Sequence, residues 1–337
     1  MSQVGSLKID VFSHILPAKY KQALDEAAPG HVQQAMNNAI PTLWDPDARF
    51  RVMDKYDQVQ VLTLSRPPIE EVIDDPQKAL DLTRLGNDEM AELVLKYPSR
   101  FPAAVAAVSL TDVDGSLKEL ERAVKDLKFR GVQIYTNVKG KPLNSPEYLP
   151  LFEMMAKFNL PVWIHPTFGI TATDYSTEKG SRYSVAGTFG WPYETTMAMN
   201  RLVFGGILER WPNLKVIAHH GGAMVPYFAE RIAAFHDYSE MNSRSSDKIG
   251  LTRTPIEYYR MFYADTAICG NTPALMLTRA FLGIDNLLFG TDFPFAGQHG
   301  ERLVRQTIKA IEDMDIPEIE KKKIMEDNAR RIMRLPI

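Results

Sequence analysis

Eight short apolar runs recur along the chain, at residues 7–13, 58–64, 101–110, 131–135, 160–165, 214–220, 261–267 and 286–292. Each carries β-branched, aromatic or leucine-rich sequence and reads as a buried strand. Between them the apolar positions return at helical spacing. Leu117, Leu120, Ala123, Val124 and Leu127, with charge on the opposite face, are one such set. Strands alternating with helices imply a parallel sheet. Eight repeats predict an α/β protein built as a (β/α)8, or TIM, barrel. A doubly wound sheet would normally show a glycine-rich phosphate loop after an early strand, and the sequence has none.

Two stretches break the rhythm. Residues 17–44 follow the first strand, and residues 167–190, rich in Gly, Ser, Thr and Tyr, follow the fifth. At the C-terminal ends of barrel strands they read as inserted loops that cover or bind a ligand. The final segment, 318–334, reads as an amphipathic outer helix. No linker divides the chain, so residues 1–337 are expected to form one domain.

Composition narrows the function classes. With 337 residues, 45% of them hydrophobic, the chain can bury a substantial core. A net charge of −3 and the lack of a long basic run give no reason to expect a nucleic-acid partner. Cys269 is the sole cysteine, which excludes an internal disulfide framework and cysteine-rich zinc sites. Pro, Gly or charge interrupts every apolar run before membrane-spanning length, and the N-terminus lacks the order of a signal peptide. A soluble, cytoplasmic protein with no membrane partner is the expectation.

The chemistry gathers at the strand ends, where a barrel of this kind places its active site. His14 follows the first strand and His165 ends the fifth. His219 and His220 end the sixth, just before Gly221 and Gly222, and Asp292 ends the eighth. Any one of these could be a packed histidine or a cap. Together at equivalent ends of different strands, imidazoles with one carboxylate suit a divalent metal such as zinc, with an open position for water or substrate. In strict alternation Asp10, Phe12 and His14 share a face of the first strand. Asp10 would then lie deeper and bond a ligand from behind.

Seven segments carry a family resemblance: IDVFSHILP (9–17), DARFRVMD (47–54), FRGVQI (129–134), PVWIHP (161–166), GWPYETT (190–196), LKVIAHHGG (214–222) and FGTDFPF (289–295). In order and over nearly the whole chain, they resemble the amidohydrolase-2 group of the amidohydrolase superfamily, which includes the aminocarboxymuconate-semialdehyde and γ-resorcylate decarboxylases. The resemblance implies metal ligation by His14, His165 and Asp292, and a catalytic histidine on the sixth strand. Related sequences place that histidine five residues after the strand lysine and six before a proline. His220 meets both offsets from Lys215 and Pro226, which leaves His219 as a supporting or substrate contact. The substrate-carboxylate arginines fall on Arg49 and on Arg231, the latter reaching into a neighbouring subunit. A homodimer or higher homo-oligomer is therefore expected. The alternative for Arg49 is a surface salt bridge with Asp45, Asp47 or Asp54. The chain departs from the family at Phe12, where a metal ligand usually stands.

The resemblance points first to non-oxidative decarboxylation of a hydroxylated aromatic or heteroaromatic carboxylic acid. Zinc is the expected ion, with manganese or magnesium as alternatives, and Asp292 delivers the proton with help from His220. Trp163, Phe168, Trp191, Tyr193 and Phe295 are available to contact the ring. Hydrolysis of a lactone, amide or C–C bond, without metal if Phe12 removes the site, is the second reading. A binding module without catalysis is the third.

Overall fold

The computed structural model describes residues 7–167, 173–241 and 250–337. Its strands are β1 (Lys8–Ile15), β2 (Gln58–Leu64), β3 (Ala103–Ala104), β4 (Ala106–Ala107), β5 (Val132–Tyr135), β6 (Asn137–Val138), β7 (Lys141–Pro142), β8 (Pro161–His165), β9 (Lys215–Ala218), β10 (Tyr263–Asp265) and β11 (Leu287–Leu288). β6 and β7 form a small antiparallel hairpin outside the main sheet. All other pairings are parallel and run round in chain order: β1–β2–β3, then β4–β5–β8–β9–β10–β11.

Val105, between β3 and β4, joins the two arcs through its N–H to the Leu62 carbonyl at 2.9 Å. The ring closes where Val11 N–H donates to Phe289 O at 3.0 Å and His14 N–H to Phe293 O at 2.7 Å. Counting the β3–β4 pair as one position, eight parallel positions close a (β/α)8 barrel.

Two apolar cores follow from the alternation of side chains. Residues pointing outward pack under the helices; Leu62, Val132, Val162 and Val216 are buried there with Leu120, Phe152 and Leu202. Residues pointing inward fill the lower barrel: Ile9, Val11, Val61, Val105, Trp163, Ile217 and Leu288, stoppered by Ile332 and Met333. These last two lie on the helix Asn328–Met333. With the floor packed, the interior is open to chemistry only at the C-terminal ends of the strands.

Three expectations change. Residues 17–44 are largely helical, with helices Ala18–Ala27 and Val32–Asn38. The sixth run ends as a strand at Ala218, so His219 and His220 lie in the tight turn that follows. The first strand does not alternate evenly: Asp10 pairs with Gln60 but Ser13 with Leu62, so β1 carries an extra residue as a β-bulge.

Candidate active site

β1 and β2 present the first histidine. His14 is fully buried, and its Nδ1 lies 3.2 Å from the Thr63 hydroxyl. That hydroxyl donates its hydrogen to the Ser13 carbonyl at 3.2 Å. Its oxygen therefore accepts from Nδ1–H, which leaves Nε2 as a bare lone pair. β8 repeats the arrangement, with His165 Nδ1 lying 2.8 Å from the Pro166 carbonyl, so Nδ1 carries the hydrogen there too. Burial, then the nearby His14 and His219, pulls His165 well below its ordinary pKa. Burial pulls His14 down as well, against the raising effect of Asp292.

Asp292 comes from the turn after β11, in the left-handed conformation at φ 62°. Its Oδ1 is 3.3 Å from His14 Nε2 and its Oδ2 is 3.9 Å from His220 Nε2. Burial opposes its ionisation, but His14 and His220 hold its pKa well below the usual carboxylate range. With the hydrogen on Nδ1, His14 Nε2 and Asp292 Oδ1 are both acceptors, so the contact is favourable only with a cation between them, either a proton, through which His14 lowers the Asp292 pKa, or a metal ion. Two donors bound to one ion at ~2.0–2.2 Å stand roughly 3.0–3.5 Å apart, so this spacing fits neighbouring ligands. The His165 ring centroid is 5.1 Å from that of His14. Among the described residues no three His, Cys, Asp or Glu side chains stand close enough together to hold an ion without moving. The fit lies in donor type, tautomer and the His14–Asp292 spacing.

The turn after β9 is organised by Asp265, at the end of β10. Its Oδ2 accepts from His219 Nδ1 at 2.5 Å, and its Oδ1 from the N–H groups of His220 and Ala267 at 3.0 and 2.9 Å. His220 itself is left-handed at φ 57°, a conformation non-glycine residues enter at a cost. Asp265 holds that turn and so aims His220 at Asp292. Burial would lower the His220 pKa, but contact with Asp292 and its charge override it and raise the pKa above the ordinary value.

Phe12 stands in the middle. Its ring stacks on His219 with centroids 3.5 Å apart, and lies 4.8 Å from His14 and 5.8 Å from both His165 and His220. Asp10, by contrast, does not bond any histidine from behind. It accepts from the Phe12 N–H at 3.0 Å, the Thr291 N–H at 3.1 Å and the Thr291 hydroxyl at 2.5 Å. Burial lifts its carboxyl to about 7, opposed first by the Thr291 hydroxyl. It thus pins the β1 bulge to the residue before Asp292. Gly290 makes this packing possible: a Cβ there would come within 2.8 Å of the Asp265 Cβ and 3.0 Å of the Phe12 Cβ.

The expected substrate contacts divide. Trp191, at the start of the helix Trp191–Phe204, lies near-parallel to His220 at 6.5 Å. Phe295 is 5.4 Å from His14, so both belong to the mouth. Arg49 does not. It is 1% exposed, and its guanidinium donates to Gln60 Oε1 at 2.7 Å, His14 O at 2.7 Å, Thr42 O at 3.1 Å and Ser13 Oγ at 2.5 Å. These donors are taken up inside the barrel wall, where Arg49 acts as a strut, and not by a surface salt bridge. Arg231 lies exposed on the helix Val225–Met241, 4.4 Å over the Phe235 ring. Trp163 belongs to the barrel floor, Tyr193 is half exposed, and Phe168 lies outside the described residues.

Sequence reasoning passed over Asp265 and Thr63. Asp265 could have been found as the carboxylate inside the seventh run. Thr63 gives no such signal, because its task depends on the neighbour that β1 supplies.

Comparison with known proteins agrees with this fold. The amidohydrolase family model matches residues 9–335. A 2-amino-3-carboxymuconate-6-semialdehyde decarboxylase from Dictyostelium discoideum is 30% identical, over 98% of this chain and 92% of its own. The crystal structure of a 2,6-dihydroxybenzoate decarboxylase complexed with 2,6-dihydroxybenzoate superposes with a TM-score of 0.82 at 26% identity, covering 98% of this chain and 99% of that one. A dihydroxybenzoic acid decarboxylase from Polaromonas sp. JS666, with bound manganese and the inhibitor 2-nitroresorcinol, superposes at 0.81 with 25% identity, over 99% and 98% of the two chains. With a family model spanning the whole barrel and the polar strand ends gathered at its mouth, the chain belongs to the amidohydrolase family.

Proposed function

We propose that the protein is a metal-dependent carboxy-lyase that removes carbon dioxide, without oxidation, from a hydroxylated aromatic or heteroaromatic carboxylic acid. The observation that carries the reading is the pair of bare imidazole nitrogens, on His14 and His165, gathered beside the Asp292 carboxylate. His14, His165 and Asp292 would hold the ion, with zinc expected and manganese already seen in a related enzyme. When bound, a divalent ion there orients the carboxylate and its neighbouring hydroxyl and stabilises developing negative charge.

The protein's own groups handle the proton. His220, raised in pKa and 3.9 Å from Asp292 Oδ2, is the proton reservoir. Asp292 passes the proton to the ring carbon that bears the carboxylate. The C–C bond then breaks, carbon dioxide leaves, and the bonding pair restores the aromatic ring. His219, held through Asp265, supports the site from behind Phe12. Trp191 and Phe295 supply aromatic surface for the substrate ring.

A hydrolytic reading rests on one feature, the phenyl ring of Phe12 where a further ligand would stand. An assay of carbon dioxide release across hydroxybenzoates, dihydroxypyridine carboxylates and aminomuconate-type acids separates the two. Release without net water uptake is expected, and water uptake without carbon dioxide would favour the hydrolase. The exposed aromatic face of the helix Val225–Met241, with Tyr227 and Phe235 beside Arg231, supports a homo-oligomer joined there. No helix among the described residues is long and apolar enough to cross a membrane, in keeping with a cytoplasmic enzyme.

A further inference from the structure

Among the described residues no carboxylate pairs with Arg66. It follows β2 by two residues, and its guanidinium carbon lies 4.1 Å from the centroid of Trp191 and 5.4 Å from that of Phe295. Burial pulls its pKa below the ordinary arginine range, opposed by the charge of Asp292, yet an arginine stays protonated at neutral pH. Its positive field reaches His14, His165 and His220, which places it at the same opening. The two nearest carboxylates have other partners. Asp292 faces His14 and His220, and Glu71 accepts the Thr167 hydroxyl at 2.6 Å. Among the described residues, the Arg66 side chain donates no hydrogen bond and joins no ion pair.

A guanidinium that is partly withdrawn from water and has no protein acceptor is unfavourable, and two aromatic faces offset only part of that. Its planar fork matches a carboxylate, with two parallel N–H groups for two oxygens. The departing carboxylate is a poor candidate for that fork. Negative charge leaves it for the ring as the C–C bond breaks, so a guanidinium clamp would stabilise the ground state more than the transition state.

Resting on the decarboxylase reading, we propose that Arg66 is a specificity-determining residue. It binds a second acidic group that the ring keeps, and the preferred substrates are hydroxylated aromatic dicarboxylates. The group that leaves lies at His14 and Asp292; the group that stays lies in the Arg66 fork, flanked by Trp191 and Phe295.

The test compares dissociation constants, by titration calorimetry on the purified enzyme, for salicylate and for two forms of it with one added carboxylate, 4-hydroxyisophthalate and 2-hydroxyterephthalate. The wild type should bind at least one dicarboxylate about tenfold or more tightly than salicylate. Arg66→Gln should bring that ratio to within about twofold. Arg66→Lys, which keeps the charge without the fork, should fall between. Thermal melting of each variant checks the fold, and if the glutamine variant does not fold, the lysine variant decides by a reduced ratio. A wild type that binds salicylate with no preference for either dicarboxylate overturns the assignment of Arg66 alone. A preference that survives in the variants does the same. A wild type that binds none of the three acids overturns the aromatic-acid reading, and this proposal with it.

Discussion

A phenyl ring offers no lone pair, yet Phe12 packs against four imidazoles, and His14 Nε2, His219 Nε2 and His220 Nδ1 among them are buried with no hydrogen-bond partner. Its stacking on His219 fixes that ring on one side while Asp265 holds it on the other. The Phe12→His variant should therefore bind zinc or manganese more tightly, since it adds a donor at the centre of the set. Competition with a metal chelator checks this. Unchanged affinity would mean that position 12 does not reach the ion. His220→Ala should keep metal and fold but lose ~10²–10⁴-fold in turnover, the usual contribution of an acid–base group. His219→Ala should lose less turnover. Metal content and turnover rate measured on both variants decide the order, and a larger loss at His219 would reverse the two roles. The residues at strand ends were legible because a histidine beside glycines gains little from packing. The neighbour that fixes the His14 tautomer was not, since Thr63 acts from another strand.

At the scale of elements, β1 is held more than it is hydrogen-bonded as a strand. Its bulge interrupts the pairing with β2 between Asp10 and Ser13. Asp10 anchors one side of that break to Thr291. Arg49, from the helix Pro46–Tyr56, anchors the other through Ser13 Oγ and the His14 carbonyl. The Arg49→Met variant leaves four buried acceptors without their donor, and should destabilise the protein by about 2–4 kcal/mol. Urea unfolding checks it. Unchanged stability together with weakened binding of aromatic acids would return Arg49 to the substrate. The sequence could not settle this, because whether a helical arginine points outward or into the barrel wall depends on a bulge that even alternation does not foresee. The strand boundaries were far more legible, β2 to the residue. The eighth run shrank to Leu287–Leu288 because Gly290 and the left-handed Asp292 turn the backbone out of strand geometry to present the carboxylate.

At the scale of the molecule, the barrel divides itself by polarity. The lower interior is apolar and stoppered by the C-terminal helix, so histidines from β1, β8 and the turn after β9 can meet Asp292 only at the upper rim. The number and order of strands were legible from periodicity alone; the closure of β11 on β1 was not, because nothing local in either strand names its partner. The central claim is that this rim holds a divalent ion that decarboxylation needs. Carbon dioxide release from a hydroxybenzoate accepted by the enzyme, followed as metal is removed by chelation and then restored, tests it most directly. Activity should fall with metal content and return at about one ion per chain. Full release of carbon dioxide by enzyme stripped of all metal would contradict the claim.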